Sequence, residues 1–179
     1  MNEESLKEAE KLGIQFYQPS VAHSILFLSW WLDLNASKDF DLVFSEAQRP
    51  LSAFFKTFDP PALCAFALDE EDKVYLVMWL TAMSDVSTAA FVSYWCREEK
   101  RGTRKAHKIT KLLFEIAFKH IDVLMSVTKH ESLLRIFHRL GHTVVGRVPH
   151  YFNGEDAWIL YLTKDNFENS KFYKVGEKI

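Results

Sequence analysis

The sequence predicts a single α/β domain spanning residues 1–179, with a mixed, mostly antiparallel β-sheet flanked by helices. Three observations predict it. The chain has 179 residues, 48% of them hydrophobic and 15% aromatic, enough to bury about two-thirds of the unfolded surface in one core. Near residue 62 the apolar spacing changes from about 3.6 to 2, the passage from helix to strand. Beyond residue 106, helical and strand patterns alternate.

The elements follow in order. Leu6, Ala9 and Leu12 at helical spacing, with Gly13 as a stop, predict a short helix or arm over 1–13. Ile14 to Tyr17 suits a brief strand, and Pro19-Ser20 opens an apolar stretch, Val21 to Leu34, too long for a strand and hence helical. A second helical pattern, Phe40 to Phe58, is interrupted by Pro50, which has no N–H and clashes inside a helix, and ends at Asp59-Pro60-Pro61. Ala62 to Leu68, the acidic turn Asp69 to Asp72, and Lys73 to Met83 read as a hairpin, with Thr88 to Cys96 as a third strand. His107 to His120 is helical, Val123 to Val127 a short strand, and Glu131 to Leu140 a helix stopped by Gly141 with an apolar stripe of Leu133, Ile136, Phe137 and Leu140. Thr143 to Val148 and Ala157 to Thr163 form two strands turned by Asn153-Gly154, and a polar tail covers 165–179.

No apolar run reaches the roughly 18 to 20 residues of a membrane span, and the start Met1-Asn2-Glu3-Glu4 is acidic where a signal peptide is basic, so a soluble, cytoplasmic protein is expected. Composition excludes disorder and low-complexity scaffolding. Cys64 and Cys96 are too few for a disulfide framework and fit no zinc spacing, and the seven histidines form no ligand pair backed by a carboxylate, so no metal is expected. Trp30 and Trp31, adjacent on a helix, place one indole in the core; the other reading is that they line an acceptor pocket.

Charge is unevenly placed. Residues 1–96 carry net −8 and residues 97–179 net +6, and Arg97 to Lys111 alone holds seven Lys/Arg against Glu98 and Glu99. A strand ending at Cys96 therefore feeds a basic loop, Arg97 to Lys105, and a helix beginning near Ala106. Helix N-termini present N–H groups without intrahelical acceptors and about half a positive charge, so this arrangement suits a phosphate. The plainer reading is a solvated basic face; a nucleic-acid surface fits less well, because the charge sits at one loop rather than along a face with interleaved aromatics.

The loop Arg101-Gly102-Thr103-Arg104-Lys105-Ala106 resembles the Gln/Arg-x-x-Gly-x-Gly/Ala loop of the GCN5-related N-acetyltransferase (GNAT) superfamily, matching at Arg101, Gly102 and Ala106, with Arg104 in place of the central glycine. A second segment anchored on Gly141 (His130, Leu133, Ile136, Phe137, Arg139, Gly141, His142) is similar to that family's Asn-x-x-Ala-x-x-Leu-Tyr-x-Lys-x-Gly-Phe in length and glycine stop, without the Asn and Tyr. The likeness covers about residues 62–164. It implies a GNAT-like sheet and transfer of an acetyl group from acetyl-CoA to an unknown amine. It also implies a pyrophosphate cradle at Arg101, Gly102, Thr103, Arg104, Lys105 and Ala106, with the pantetheine arm beside Trp95 and Cys96 between two splayed strands. The tyrosine that commonly protonates the departing thiolate is replaced by Phe137, which leaves Tyr94, His138, His142 and Tyr151 as substitutes. Cys96 as a nucleophile is the lesser reading beside core packing. A GNAT-fold protein that has lost catalysis and serves as a structural or interaction component is the alternative. Divergent relatives of this kind occur among bacteriophage proteins, virion-associated ones included, and would reside in the host cytoplasm or the virion.

Overall fold

A computed structural model describes residues 3–37, 39–59, 62–83, 88–152 and 154–175. Helices α1 (Glu3–Lys11) and α2 (Val21–Ala36) flank a short strand β1 (Ile14–Phe16). Ser20 caps α2, its hydroxyl accepting the His23 N–H at 3.3 Å. The next helical pattern breaks into α3 (Phe40–Val43), a 3-10 turn over Glu46–Gln48, and α4 (Leu51–Lys56); Pro50 stands just ahead of α4, where its missing N–H costs nothing. Strands β2 (Leu63–Leu68), β3 (Val74–Ala82) and β4 (Ala89–Cys96) follow, then α5 (Arg104–Ala117), β5 (Val123–Thr128), α6 (Glu131–Leu140), β6 (Thr143–Phe152) and β7 (Glu155–Thr163). The strands form one mixed, mostly antiparallel sheet in the order β1-β2-β3-β4-β5-β7-β6, as the spacing predicted. The parallel pair is β4 and β5, Ala89–Phe91 against Val123–Met125, joined by the α5 crossover that parallel strands require. Asn153, Pro60 and Pro61 of the expected turns lie outside the described residues.

By internal contacts the chain divides into two compact units, Met1–Thr81 with Ser93–Leu113 and Ala82–Val92 with Phe114–Ile179. The first is built on aromatic side chains. Phe27, Trp30, Phe40, Phe54, Phe58 and Phe66 are fully buried, Phe44 stacks on Trp79 at 5.2 Å, and Trp30 packs against Trp95 at 5.4 Å. Residues 74–79 of β3 are buried without alternation, the mark of a strand covered on both faces. Trp30 is thus core, and Trp31 is half-buried with its indole N–H donating to the Arg49 carbonyl at 3.0 Å.

In the second unit β7 pairs antiparallel with both β5 and β6. The segment expected as a polar tail forms α7 (Lys164–Glu168) and α8 (Lys171–Val175), because its one large apolar side chain near the start, Phe167, is fully buried against Phe114, Phe118, Phe172 and Tyr173. Helix α6 ends on Gly141 at φ 98°, the left-handed cap its sequence predicted, with the His142 N–H returning to the Phe137 carbonyl. The buried face differs from the expected stripe. Ile136 is 53% exposed, and the inward positions are Leu133, Leu134, Phe137 and Leu140, of which only Leu140 is fully buried.

Candidate functional site

At the end of β4, Ser93 and Tyr94 are half-buried and Trp95 and Cys96 are buried. The Trp95 side chain is buried in the aromatic core, its indole N–H donating to Asp39 at 3.2 Å, while Tyr94 bonds toward α5. Beyond Cys96 the chain makes a 3-10 turn over Glu98–Lys100 and a left-handed residue at Gly102, φ 77°, before entering α5. Open space surrounds the Gly102 α-carbon, so the dihedral rather than crowding calls for glycine. Thr103 caps the helix: its hydroxyl donates to the Lys100 carbonyl at 2.9 Å and accepts the Ala106 N–H at 3.3 Å. Helix α5 starts at Arg104, two residues before the expected position, which places Arg104, Lys105 and Ala106 in its first turn. Arg101 to Lys105 are exposed, and Ala106 is buried.

The cations of the loop are not all turned to solvent. Arg97 donates to Asp69 at 2.7 Å and to the Val74 carbonyl at 2.8 Å; Lys100 pairs with Glu70 at 3.0 Å; Arg101 donates to the Cys96 carbonyl at 2.8 Å and to Asp39 at 3.1 Å. Three of the seven charges thus fix the loop to β2–β3 and to the start of α3. Burial works to raise the Asp69 pKa, but the Lys73 and Glu71 N–H groups and the Arg97 charge outweigh it and hold the carboxyl below its usual range. Lys105 lies over the Tyr75 ring at 5.8 Å. Lys105 and Lys108, both exposed on the first turns of α5, add positive charge beside the helix start.

Tyr94 is held from α5. Its hydroxyl lies 2.9 Å from Thr110 Oγ1, and Thr110 gives its one proton to the Ala106 carbonyl at 2.8 Å, so the phenol donates to Thr110. Burial, with Cys96 nearby, raises the Tyr94 pKa far above 10, and burial likewise raises that of the Cys96 thiol. Tyr94 therefore holds its proton at neutral pH, and Cys96 is a thiol rather than a nucleophilic thiolate.

Strand β4, the loop and α5 thus bring Tyr94, Trp95, Cys96 and Arg101 to Ala106 together. His138 and Tyr151 belong to the second unit; both are exposed, His138 on α6 and Tyr151 on β6. His142, in the same unit, is a core residue. It is 3% exposed, with Nε2 3.1 Å from Ser126 Oγ and its ring edge-on to Phe137, and burial lowers its pKa to about 4. Among the described residues no group of three His, Cys, Asp or Glu side chains gathers as a metal site would need, and no helix is long and apolar enough to cross a membrane.

Thr110 and Thr103 were missed by sequence reasoning. Each carried a signal: Thr110 is a hydroxyl on the otherwise apolar stripe Ala106, Ile109, Leu113, and Thr103 follows a glycine three residues ahead of a first-turn helical N–H that has no intrahelical acceptor.

No protein-family model matches the chain, and no curated protein matches it by sequence. Solved structures do match in fold. A ribosomal-protein-S5-alanine acetyltransferase from Vibrio fischeri superposes with TM-score 0.64 at 14% identity, over 87% of this chain and 95% of that one. Spermidine N-acetyltransferase from Vibrio cholerae, in complex with CoA and spermine, gives 0.66 at 10% identity over 88% and 99%. Mycobacterium smegmatis RimJ, in complex with CoA-disulfide, gives 0.67 at 8% identity over 92% and 88%. The chain has the fold of the GNAT acetyltransferases, and at these identities the likeness is one of fold.

Proposed function

We propose that the protein is an N-acetyltransferase that takes acetyl-CoA as co-substrate and an amine as acceptor. The observation that carries this reading is the loop Arg101–Ala106: a left-handed glycine and a threonine cap deliver an exposed turn into the first turn of a 14-residue helix, at the loop for which the motif resemblance implies a coenzyme pyrophosphate. The loop suits such a group. Residues 101–105 are exposed, the N–H groups of a helix's first turn have no intrahelical acceptors, and Lys105 and Lys108 add charge. Two of the neighbours are complexes with CoA or CoA-disulfide.

In the transfer, the acceptor nitrogen bonds to the thioester carbonyl carbon, the carbon–sulfur bond breaks, the nitrogen loses a proton, and the departing sulfur gains one. Tyr94 is the group we assign to the sulfur, because it carries a phenol on the strand that runs into the loop; to deliver its proton it must leave the Thr110 acceptor that holds it in this structure. The resemblance directs the pantetheine arm along the backbone of Trp95 and Cys96. The acceptor is defined only as an amine.

The test is calorimetry with acetyl-CoA, followed by thiol release with an amine panel that includes spermine and an aminoglycoside. Saturable binding that is lost in Lys105→Glu supports the reading. Substitution at Ala106 is a poorer probe, since that side chain is 3% exposed and a buried glutamate would disturb folding. Absence of heat and of thermal shift at millimolar acetyl-CoA would overturn the reading and leave a fold without the activity.

A further inference from the structure

The second unit contains a cleft of about 750 Å³ between the C-terminal half of α6 and the α7–α8 segment. Its walls carry Arg135, Arg139 and Lys171, with the His138 imidazole, and no carboxylate lines it. Arg135 and Arg139 are one helical turn apart on α6, so their Cβ atoms stand about 6 Å apart on one face. Lys171 comes from the opposite wall. Among the described residues, none of these three cations has an ion-pair partner, whereas Lys164 next door pairs with Glu168 and Lys129 with Glu155.

The cleft is built rather than incidental. Gly141 forms its base at φ 98°, and a Cβ there would collide with the Asn166 backbone carbonyl and press on Ser170 Cβ at 3.1 Å, so glycine is what lets α7 close against the end of α6. Ser170, 6% exposed, accepts the Tyr173 N–H at 3.1 Å and keeps its hydroxyl proton to donate, while the Asn166 amide is anchored to Thr143 at 3.3 Å. Compensation of the α6 macrodipole does not account for the charge: a helix C-terminus carries about half a negative charge, against three cations here. The volume is that of a small-molecule site, and its lining has no Phe, Tyr or Trp ring.

We infer that this cleft binds a small, multiply charged phosphorylated ligand, held by the Arg135 and Arg139 guanidinium groups and the Lys171 ammonium. Two forked donors one turn apart match a diphosphate or a phosphate ester with a second anionic group, which guanidinium engages bidentately. The site uses none of the residues of the Arg101–Ala106 loop, so it stands or falls apart from the acetyltransferase reading.

The probe is inorganic pyrophosphate, followed by NMR of the full chain at fixed ionic strength, with inorganic phosphate and a sodium chloride titration alongside. Expected is a saturable shift of the Arg135, Arg139, Ser170 and Lys171 backbone resonances, unchanged in Lys105→Glu. Binding should weaken about tenfold for each cation removed in Arg135→Gln, Arg139→Gln and Lys171→Gln. These side chains are at the surface, and an unchanged thermal midpoint verifies that the variants fold. The inference is overturned if millimolar pyrophosphate moves none of these resonances, if the shifts persist in the triple variant, or if sodium chloride at equal ionic strength reproduces them.

Discussion

Tyr94 and Thr110 are joined oxygen to oxygen at 2.9 Å, and a third group sets the direction of the bond: Thr110 has one proton, and it goes to the Ala106 carbonyl at 2.8 Å. The phenol must donate to Thr110. Replacing Thr110 with valine keeps the shape and removes both bonds, leaving a largely buried phenol without an acceptor. We expect Thr110→Val to lose about 1 to 3 kcal/mol of stability by urea denaturation. If Tyr94 protonates the leaving thiolate, Tyr94→Phe lowers kcat by about 10² to 10⁴. An unchanged kcat in a folded Tyr94→Phe protein would remove Tyr94 from that role.

His142 makes stability depend on pH with a definite sign. Its folded pKa is lowered by burial to about 4, below the ordinary 6.5, so the unfolded chain binds the extra proton between those values. Stability from this residue is fully present above pH 6.5 and is lost as the pH falls toward 4. A shift of that size corresponds to roughly 3 kcal/mol. Denaturation curves at pH 7 and 4.5 should therefore differ less in His142→Leu than in the wild type; an equal acid sensitivity in both would show that the imidazole titrates normally.

Gly141 and Gly102 share a left-handed backbone and differ in their surroundings. At Gly102 nothing lies within 4 Å of where a Cβ would stand, and at Gly141 the Asn166 backbone blocks it. Gly102→Ala should cost only the dihedral, about 1 to 2 kcal/mol, whereas Gly141→Ala adds a backbone collision and should cost at least twice as much. Thermal midpoints of the two variants order the effects.

The fold was legible because its signals are local: the apolar, β-branched and aromatic run of Lys73 to Met83 after an acidic turn, the 3.6 spacing of Ile109, Leu112, Leu113 and Ile116, and Gly141 as a stop. What was not legible depends on partners distant in sequence. Arg97 and Arg101 read as charges facing a ligand, but Asp69 and Asp39 turn them into anchors, and those pairings span 28 and 62 residues. The tail was misjudged because composition weighs all residues equally, while the single Phe167 ring decides where the segment docks. Tyr94 was readable as a proton donor, but the Thr110 bond that orients it needs the packing of α5 on β4.

Arg97 illustrates the energetic weight of such an anchor. Its side chain is 17% exposed and that of Asp69 7% exposed, so removing the guanidinium strands a desolvated carboxylate. Arg97→Met should cost about 3 kcal/mol, and the Asp69 carboxyl, relieved of its partner, should titrate higher in NMR pH titrations than in the wild type. Asp69→Asn paired with Arg97→Met should recover part of the loss. A double variant no better than the single one would show that the cost comes from the Val74 carbonyl bond instead.

The face that α6 turns inward can be settled by two side chains one residue apart. Ile136 is 53% exposed, while Phe137 is half-buried with its ring 4.9 Å from that of His142, edge to face. A sequence stripe that gave both to the core would make both truncations expensive. The structure predicts otherwise: Ile136→Ser should stay within about 0.5 kcal/mol of the wild type, as surface substitutions do. Phe137→Ala should cost about 2 kcal/mol, less than the 3 to 5 of a fully buried ring, because part of its cavity opens to water. Phe137→Tyr restores the phenol of the resembling motif at little steric cost, and its hydroxyl must either reach solvent or displace the His142 contact. Urea midpoints for the three variants, together with thiol release by Phe137→Tyr, decide the matter: equal losses for Ile136→Ser and Phe137→Ala would rotate α6 by about 100° per residue and move Phe137 out of the position at which a leaving-group acid could be restored.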